Sequence, residues 1–269
     1  MMLLGIHGKA GVGKDLVSSY FVNNHDFIQL SFADPFKEFC RTVFDWDRTQ
    51  LWGPSQYRND VDGRYRESRK TVGTTGSSHH EYDAAWGAAH HQLVLSGKEF
   101  IRDILTHGYP HYGELTKTEK ETLQEACYTE LIAWFRALSS THASTLSPRV
   151  ALQSLGSEWG RKAIDENVWV NYLLSRAREA IVSKDYRGVV VSDIRFENEL
   201  LAVKDAGGKL LHIVRPESAP LAAGIENHAS ERQELDHSMF NFNIKNDGSV
   251  KDLFNDIKIC AMCLGITSP

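Results

Sequence analysis

The sequence predicts an α/β protein in which helices cover both faces of a five-stranded parallel sheet. Three observations support this expectation. Short apolar segments alternate with segments of helical character, a glycine-rich loop follows the first apolar segment, and Val189-Val190-Val191 is entirely β-branched. An unbroken β-branched run is typical of a parallel strand that helices bury on both faces. The alternation of strands with helices indicates a doubly wound sheet.

Five apolar segments have the length expected of core strands. In chain order they are Leu3–Ile6, Phe27–Phe32, Gly188–Ser192, Lys209–Val214 and Phe240–Ile244. About 155 residues separate the second segment from the third, which is far too many for a simple crossover connection. We therefore expect one domain, with residues 1–33 and 187–269 as its core and residues from about 34 to 186 as a large, mainly helical insertion between strands 2 and 3.

Helix start signals define the insertion. Asp34-Pro35 predicts a helix that Asp34 caps, with the proline in its first turn. Thr118-Glu119-Lys120-Glu121 matches a capping box and predicts a helix through Leu138. Ser147-Pro148 predicts a further helix, which continues through Ile164.

The core helices follow the predicted strands. A helix begins at Asp15, directly after the glycine-rich loop. Residues Phe196 to Ala206 form a short helix that Gly207-Gly208 ends, since glycine favours the conformation that closes a helix. Ser249 can cap a last helix, which continues through Cys263.

The loop after the first strand carries the clearest functional signal. Residues Gly8 to Lys14 fit G-x-x-x-x-G-K between a strand and a helix. Glycines let successive N–H groups point at phosphate oxygens, the helix adds its positive end, and Lys14 adds a mobile charge. The alternative is a glycine-rich turn without a ligand. We expect a phosphate-binding loop (P-loop) for ATP or a close relative, formed by Gly8, Lys9, Ala10, Gly11, Val12, Gly13, Lys14, Asp15 and Leu16.

Asp15 departs from the usual form of this motif. Ser or Thr normally follows the lysine, and its hydroxyl holds Mg²⁺. The carboxylate of Asp15 is also a hard oxygen ligand, which could reach the ion directly or through a water molecule. We therefore predict Asp15 as the metal ligand.

Composition excludes several classes of protein. An apolar content of 42% and a charged content of 24% are ordinary for a soluble globular protein. The net charge of −5 creates no general field that attracts polyanions, which argues against non-specific nucleic-acid binding. No apolar stretch approaches membrane-spanning length, and the apolar start is too short for a signal peptide. We expect a cytoplasmic protein with neither a nucleic-acid nor a membrane partner.

The cysteines point to the same compartment. Four scattered cysteines do not make a disulfide framework, and a reducing cytoplasm suits them. Cys260-x-x-Cys263 has no second pair of ligands and falls in the predicted C-terminal helix. We interpret this pair as half-buried thiols rather than as a metal or redox site.

Short stretches along the chain occur in a characteristic order. They are Gly8–Asp15, Ser31–Lys37, Leu51–Asn59, Leu152–Glu158, Ser192–Glu199 and His212–Pro216, and His228–Glu231 and Asn246–Ser249 fit the same pattern. In this order they resemble the bacteriophage deoxynucleoside monophosphate kinases, which are relatives of the cellular nucleoside monophosphate kinases. The resemblance runs from end to end, and only the middle, at about residues 60–115, lacks it.

The resemblance implies a three-layer P-loop NTPase fold and a phosphotransfer reaction. In this family ATP gives its γ-phosphoryl group to the 5′-phosphate of a deoxynucleoside monophosphate, and Mg²⁺ bridges the donor phosphates. Because two anionic substrates meet, cations are the main catalytic requirement. Planar guanidinium groups can grip phosphate oxygens in pairs. The candidates are Arg58, Arg149, Arg161 and Arg195. For Arg195 the alternative is a surface ion pair, and for Arg161 an exposed helix face.

The resemblance also implies an acceptor site. Asp193 follows the third strand, where a second carboxylate could organise Mg²⁺ or hold an arginine. By resemblance it belongs to the acceptor site together with Arg195 and Glu199, and we predict Lys14, Arg195 and Asp193 as the catalytic residues. Trp169 corresponds to an aromatic position that contacts the acceptor base, and the alternative is a core aromatic on a helix. Asp34 either faces the acceptor or caps its helix. The implied acceptor-binding residues are Asp34, Arg58, Arg149, Gln153, Gly156, Ser157, Trp169, Asp193, Arg195 and Glu199.

Two other functions are compatible with a P-loop core. One is a kinase of another phosphate-bearing small molecule, such as dephospho-coenzyme A. The other is a nucleotide-dependent switch or assembly ATPase, which would hydrolyse ATP to act on a protein partner. Arginine-bearing motifs in the insertion favour an acceptor pocket over a partner surface. A homodimer is compatible with the sequence as well.

Overall fold

The computed structural model of the protein describes residues 2–9, 11–65, 81–142, 144–183, 185–216 and 237–266. The chain forms two compact units. The sheet unit comprises Met1–Phe32 and Val170–Pro269, and the helical unit comprises Ala33–Trp169. The second boundary lies earlier than the expected start of the core at residue 187, because most of the helix that begins at Val168 groups with the sheet.

The sheet unit contains the predicted parallel sheet. Its described strands are β1 (Leu3–His7), β2 (Phe27–Leu30), β3 (Gly188–Ile194), β4 (Lys209–Val214) and β5 (Phe242–Lys245). Their order is β2-β3-β1-β4-β5, and every neighbouring pair is parallel. In the central strand Leu4 lies opposite Val190 on one side and Lys209 on the other. The predicted five-stranded α/β architecture is confirmed.

Two strands have shorter limits than expected. The strand β2 ends at Leu30 instead of Phe32, and the Phe32 N–H donates to the Asp193 carboxylate at 3.3 Å. The strand β5 begins two residues late, at Phe242. The side-chain oxygen of Asn241, the residue before β5, accepts from the N–H of Leu210, the second residue of β4, at 2.8 Å. Side-chain hydrogen bonds thus hold the chain at both of these positions, and at Asn241 a backbone bond to the Leu210 carbonyl accompanies the side-chain bond.

The α-helices of the described residues are named α1 to α10 in chain order. They are α1 (Lys14–His25), α2 (Asp34–Phe44), α3 (Arg48–Trp52), α4 (Ser55–Asn59), α5 (Glu81–Gly108), α6 (Lys117–Thr141), α7 (Pro148–Ser154), α8 (Val168–Val182), α9 (Glu197–Asp205) and α10 (Val250–Cys263). Short 3₁₀ turns occupy Gly63–Tyr65, Tyr112–Glu114 and His237–Met239. Within this part of the chain, no helix has the length and apolar character needed to cross a membrane.

Two predicted helix caps are confirmed. The hydroxyl of Ser249 accepts from the Asp252 N–H, and the Asp252 side chain returns the bond in a capping box at the start of α10. The hydroxyl of Ser147 accepts from the Val150 N–H, with Pro148 in the first turn of α7. Both caps satisfy backbone donors that the helix itself leaves unpaired.

Two other predicted caps are wrong. The residue before α2 is Ala33, and no side chain caps this helix. Asp34 lies inside the first turn, where its carboxylate accepts from the indole N–H of Trp52 at 3.1 Å. The cap of α6 is Thr116, two residues before the predicted one, in a capping box with Glu119. Competing Thr-x-x-Glu matches overlap at this point, and the earlier one forms.

Helices pack on both faces of the sheet. On one face Val17 and Phe21 of α1 and Leu253 and Ile257 of α10 belong to one apolar cluster with the sheet. The sheet residues of this cluster include Leu4, Ile6, Val190, Leu211, Ile213 and Ile244. On the other face α9 contacts β1 and β4. The unit therefore has three layers, as predicted.

The helical unit has its own aromatic core. Helix α5 contacts both α2 and α6. The rings of Phe39 and Phe100 stack with centroids 4.0 Å apart. The ring of Phe100 also stacks with that of Trp159, with centroids 5.3 Å apart. A second group of rings surrounds Phe44 and consists of Trp46, Tyr65, Trp86, Trp134 and Phe135. Each unit thus buries its own aromatic side chains.

The C-terminal cysteines lie on α10 as expected. Cys260 is buried and Cys263 is exposed. Burial raises the pKa of the Cys260 thiol to about 11, and the nearby Cys263 and Asp256 act in the same direction. A thiol with this pKa is protonated at neutral pH and is a poor nucleophile or metal ligand. This placement supports a packing role for Cys260.

Candidate active site

The loop predicted to be a P-loop turns tightly between β1 and α1. Gly13 precedes α1 with φ 104° and ψ 15°, a left-handed conformation that glycine adopts without strain. At Gly8 a Cβ atom would lie 2.6 Å from the carbonyl oxygen of Ile213, so a larger residue does not fit beside β4. Ala10 lies outside the described residues. The two glycines at the ends of the loop are therefore required by the backbone path itself.

Lys14 is the first residue of α1, and its ammonium lies at the loop. The Nζ atom donates to the carbonyl oxygens of Gly8 at 2.6 Å and Lys9 at 2.7 Å. The buried hydroxyl of Ser18 donates to the Lys14 carbonyl at 3.1 Å, which anchors the first turn of the helix. A mobile cation and the positive end of a helix thus meet at one loop, which suits an anionic ligand.

Asp15 and Leu16 continue the loop into the first turn of α1. Both side chains are exposed, and Leu16 is 40% exposed. In the part of the chain that the structure describes, no group of three or more His, Cys, Asp or Glu side chains could hold a metal ion by itself. The carboxylate of Asp15 is thus open to solvent next to Lys14.

Asp193 lies at the carboxyl end of β3 and is held by the end of β2. One carboxylate oxygen accepts from the Ser31 hydroxyl, and the other accepts from the Phe32 N–H at 3.3 Å. The preceding Ser192 accepts from the side-chain amide of Gln29 at 2.8 Å. Ligands of open α/β sheets bind at this edge. We had not predicted a role for Ser31, although it opens one of the stretches that carry the resemblance.

Arg195 and the P-loop leave adjacent strands of the sheet. His7, the last residue of β1, lies opposite Ile194, the last residue of β3, and the His7 ring hydrogen-bonds to the Ile194 carbonyl at 3.0 Å. Gly8 and Arg195 follow these two residues directly. The side chain of Arg195 is exposed. The sheet therefore brings Arg195 and Asp193 to the edge at which the P-loop begins.

Glu199 supports the turn that carries Arg195. Its side chain is 3% exposed, and Oε2 accepts from the N–H groups of Arg195 at 2.8 Å and Phe196 at 3.1 Å. Phe196 is the N-cap of α9, and its N–H has no partner within the helix. Both of these donors are backbone groups, so Glu199 holds the turn that carries Arg195.

In the helical unit two predicted arginines lie on contacting helices. Arg58 on α4 donates to the Gly53 carbonyl and, at 3.2 Å, to the Ser55 hydroxyl. Arg149 on α7 donates from Nε to the side-chain oxygen of Asn59. The helices α4 and α7 contact each other, and Asn59 is the neighbour of Arg58. We call Arg58 and Arg149 the arginine pair.

The helix predicted from Ser147 to Ile164 exists, but its second half is a π-helix. The π-helical turns extend over Leu155–Ile164, directly after α7. The Asp165 N–H donates to the carbonyl of Gly160, five residues before it, at 3.2 Å. Such turns are rare and often occur at functional sites. Gln153 and Ser157 are exposed beside this change of helix type, whereas Gly156 is buried.

Trp169 is buried in the helical unit. It is 2% exposed, and its indole N–H donates to the Gly156 carbonyl at 2.8 Å. The ring of Phe36 lies 4.9 Å away between centroids, and any side chain at Gly160 would collide with the indole. This placement matches the core alternative for Trp169. Stacking of a base on this ring stays a prediction, and it requires Phe36 or another neighbour to move.

Trp52 is an aromatic residue that we had not singled out. It is partly exposed, and the Arg48 guanidinium and the Lys37 ammonium lie 5.0 Å and 5.5 Å from its ring centroid. Its N–H is the donor to Asp34 described above. The signal was present, since Trp52 belongs to the stretch Leu51–Asn59. Asp34 therefore orients an aromatic ring that two cations contact.

Comparison with known proteins adds a family and two relatives. A family model described as "Deoxynucleotide monophosphate kinase" matches residues 2–257. The chain is 21% identical over 260 residues to a protein of Acanthamoeba polyphaga mimivirus named "Putative deoxynucleotide monophosphate kinase", with 97% of this chain and 96% of the relative covered. It is 23% identical over 198 residues to the "Deoxynucleoside-5'-monophosphate kinase" of Escherichia phage T5, with 74% of this chain and 70% of the relative covered.

Proposed function

Because the chain belongs to the deoxynucleotide monophosphate kinase family, we propose that it transfers the γ-phosphoryl group of ATP to the 5′-phosphate of deoxynucleoside monophosphates. The products are ADP and a deoxynucleoside diphosphate, a precursor for DNA synthesis. The observation that carries the proposal is the P-loop, where the Lys14 ammonium lies against the loop carbonyls at the start of α1.

The donor phosphates bind to the P-loop. Its N–H groups and the amino end of α1 meet the phosphate oxygens, and Lys14 exchanges its contacts with Gly8 and Lys9 for the β- and γ-phosphates. The negative charge of the transferred group is spread over its oxygens in the transition state. A fixed cation at this point stabilises that charge more than it stabilises the bound substrate, which accelerates transfer.

Two carboxylates of the sheet unit fit Mg²⁺. This ion binds oxygen ligands, and in nucleotide sites one or two carboxylates usually suffice because phosphates and waters complete the shell. Asp15 is open to solvent beside Lys14, and Asp193 is fixed by Ser31 and Phe32. When bound, the ion would neutralise charge on the donor phosphates. We propose Asp15 as a ligand and Asp193 as the second carboxylate.

Arginines bind the acceptor phosphate in this proposal. The arginine pair lies on α4 and α7 of the helical unit, and Arg195 is exposed just after the end of β3 in the sheet unit. Guanidinium groups bind phosphate oxygens in pairs and remain charged at any physiological pH. Gln153 on α7 and Ser157 in the π-helical turns are exposed and are further candidates for polar contacts with the acceptor.

A direct assay separates this function from its two alternatives. ADP release from ATP is measured with each deoxynucleoside monophosphate, with each ribonucleoside monophosphate, with dephospho-coenzyme A and with no acceptor. We expect release to depend on a deoxynucleoside monophosphate. Release that needs only ATP would instead identify a switch or assembly ATPase, and release with dephospho-coenzyme A alone would identify a kinase of another acceptor.

Asp15→Asn should raise the Mg²⁺ concentration needed for half-maximal activity by about tenfold, within the range typical of weakened metal-site contacts. The amide keeps the size of the side chain but removes the charge that attracts the ion. The measurement is a Mg²⁺ titration of turnover at saturating substrates. Binding of ADP without metal should not weaken, and an unchanged Mg²⁺ titration would exclude Asp15 as a ligand.

Arg149→Ala should raise the Michaelis constant for the monophosphate by about 10- to 100-fold, because a hydrogen bond to a charged group contributes about 1.5 to 3 kcal/mol. Arg195→Ala should lower the turnover number as well, since its charge is needed most in the transition state. Steady-state kinetics with each substrate varied in turn would separate the two effects.

Arg176→Ala is the matched control for both variants. Arg176 lies on α8, is 48% exposed and pairs with Glu179 at 2.6 Å. Its removal should leave all kinetic constants near those of the parent, since exposed ion pairs contribute little. If Arg149→Ala or Arg195→Ala weakened ATP and monophosphate equally, the assignment of these arginines to the acceptor would be wrong.

A further inference from the structure

The side chain of Asn246 reaches the P-loop from the opposite end of the chain. It follows β5, and its Nδ2 atom donates to the carbonyl oxygen of Val12 at 2.8 Å. The same amide nitrogen would lie 2.8 Å from a Cβ atom at Gly13. Asn246 thus packs directly on the peptide that joins Val12 to Gly13. The proposed phosphoryl transfer assigns no role to this contact.

Asn246 is itself held rigidly. Its backbone N–H donates to the carbonyl of Val214, the last residue of β4, at 2.7 Å. Three residues later the capping box of Ser249 and Asp252 starts α10. Leu253 of this helix belongs to the same apolar cluster as Val12. The position of the Asn246 side chain is therefore fixed by the sheet before it and by the capped helix after it.

The hydrogen bond to Val12 controls the direction of a neighbouring N–H group. A peptide bond is planar, and in its trans form the carbonyl of one residue and the N–H of the next point in opposite directions. An amide that fixes the Val12 carbonyl therefore fixes the Gly13 N–H as well. Gly13 has the left-handed φ of 104°, and glycine loses more conformational freedom than any other residue when it is ordered. An external hydrogen bond selects one orientation of this peptide.

We propose that Asn246 is a positioning residue of the nucleotide site, which holds the Gly13 N–H in the orientation that meets a nucleotide phosphate. The inference rests on the nucleotide-binding part of the proposed function. Asn246 does not touch the nucleotide in this role. It keeps one donor of the P-loop aimed before the ligand arrives, so that less ordering is needed on binding.

Two variants and one control test the proposal. Asn246→Ala removes the amide, and we expect ATP to bind about tenfold more weakly, as for the loss of one hydrogen bond. Asn246→Asp keeps the size but replaces the donor by a carboxylate against a carbonyl oxygen, so ATP should bind more weakly still. Asn243→Ala is the control, because Asn243 lies on the same strand and hydrogen-bonds to His212 at 3.2 Å. The affinity of the Asn243→Ala variant for ATP should equal that of the parent.

The readout is calorimetric titration with ATP in the absence of any monophosphate. Steady-state kinetics then supply the Michaelis constant of the monophosphate, which should not change, whereas a purely structural defect would alter both substrates. Thermal melting monitors folding, and if Asn246→Ala does not fold, Asn246→Asp carries the test because it preserves shape. ATP affinity within twofold of the parent in a folded Asn246→Asp variant would overturn the proposal.

The test remains separate from the proposed reaction. A parent protein that binds ATP but phosphorylates no deoxynucleoside monophosphate contradicts the reaction, while the affinities of the Asn246 variants still decide the positioning role. A parent protein that binds no ATP overturns both.

Discussion

Lys14→Met is expected to lower turnover a hundred- to thousand-fold while the protein stays folded. Loss of one contact to charge that develops during the reaction costs about 3 to 4 kcal/mol. Methionine keeps the unbranched stem and favours helix about as well as lysine, so α1 should still begin at this position. The described hydrogen bonds of Nζ go to carbonyls of the loop itself. The measurement is the turnover number at saturating ATP, Mg²⁺ and monophosphate, together with a thermal melt.

Lys98→Met provides the comparison for this variant. Lys98 lies on α5, is 68% exposed and pairs with Glu125 at 3.3 Å. Its loss should leave turnover unchanged, because the charge is remote in sequence from the P-loop and well solvated. If Lys14→Met kept more than a tenth of the parent activity, the P-loop would not be the site of transfer.

Trp169→Ala should lower the free energy of unfolding by about 3 to 5 kcal/mol, the usual cost of removing a large aromatic side chain from a core. The indole is 2% exposed, packs beside Phe36 and Gly160, and donates to the Gly156 carbonyl. Truncation would leave a cavity and would remove the indole hydrogen bond to the π-helical turn. Urea denaturation of the parent and the variant would measure the difference.

Trp52→Ala is the matched control, because this indole is partly exposed, unlike the buried indole of Trp169, and also donates one hydrogen bond. Its truncation should cost clearly less stability than that of Trp169, since less apolar surface leaves the core. The pair also decides between the two roles of Trp169. A stable Trp169→Ala variant with a raised Michaelis constant for the monophosphate alone would restore the base-stacking role and exclude the core role.

Local sequence patterns were sufficient for the sheet and for the tight glycine turn between β1 and α1. A buried parallel strand needs an apolar, β-branched run, and Val189-Val190-Val191 in β3 is such a run. The P-loop needs glycine where the backbone turns tightly, as at Gly8 and Gly13. The cap of α10 at Ser249 depends only on residues within one helical turn. Each of these features is decided by neighbours in the chain, which a sequence displays directly.

Local patterns failed where two solutions competed within a few residues. Thr116 and Thr118 each begin a sequence match to a capping box, and the folded protein forms the one that begins at Thr116. Asp34 has the composition of a cap, but its carboxylate accepts instead from Trp52. A short polar side chain has several partners within reach, and the arrangement of the neighbouring helices selects one of them.

The sequence by itself determined the fold class, the glycine turn between β1 and α1, and the set of candidate arginines. Only the tertiary structure decided which side chains are buried and which ones hold other residues in place. It buries Trp169, turns Glu199 toward the backbone of Arg195 and brings Asn246 to Val12 across 234 residues of chain. These contacts join residues that share no local pattern, and they arise only when strands and helices pack. Periodicity and spacing report which face of an element is buried, whereas the partner on the other side depends on the whole chain.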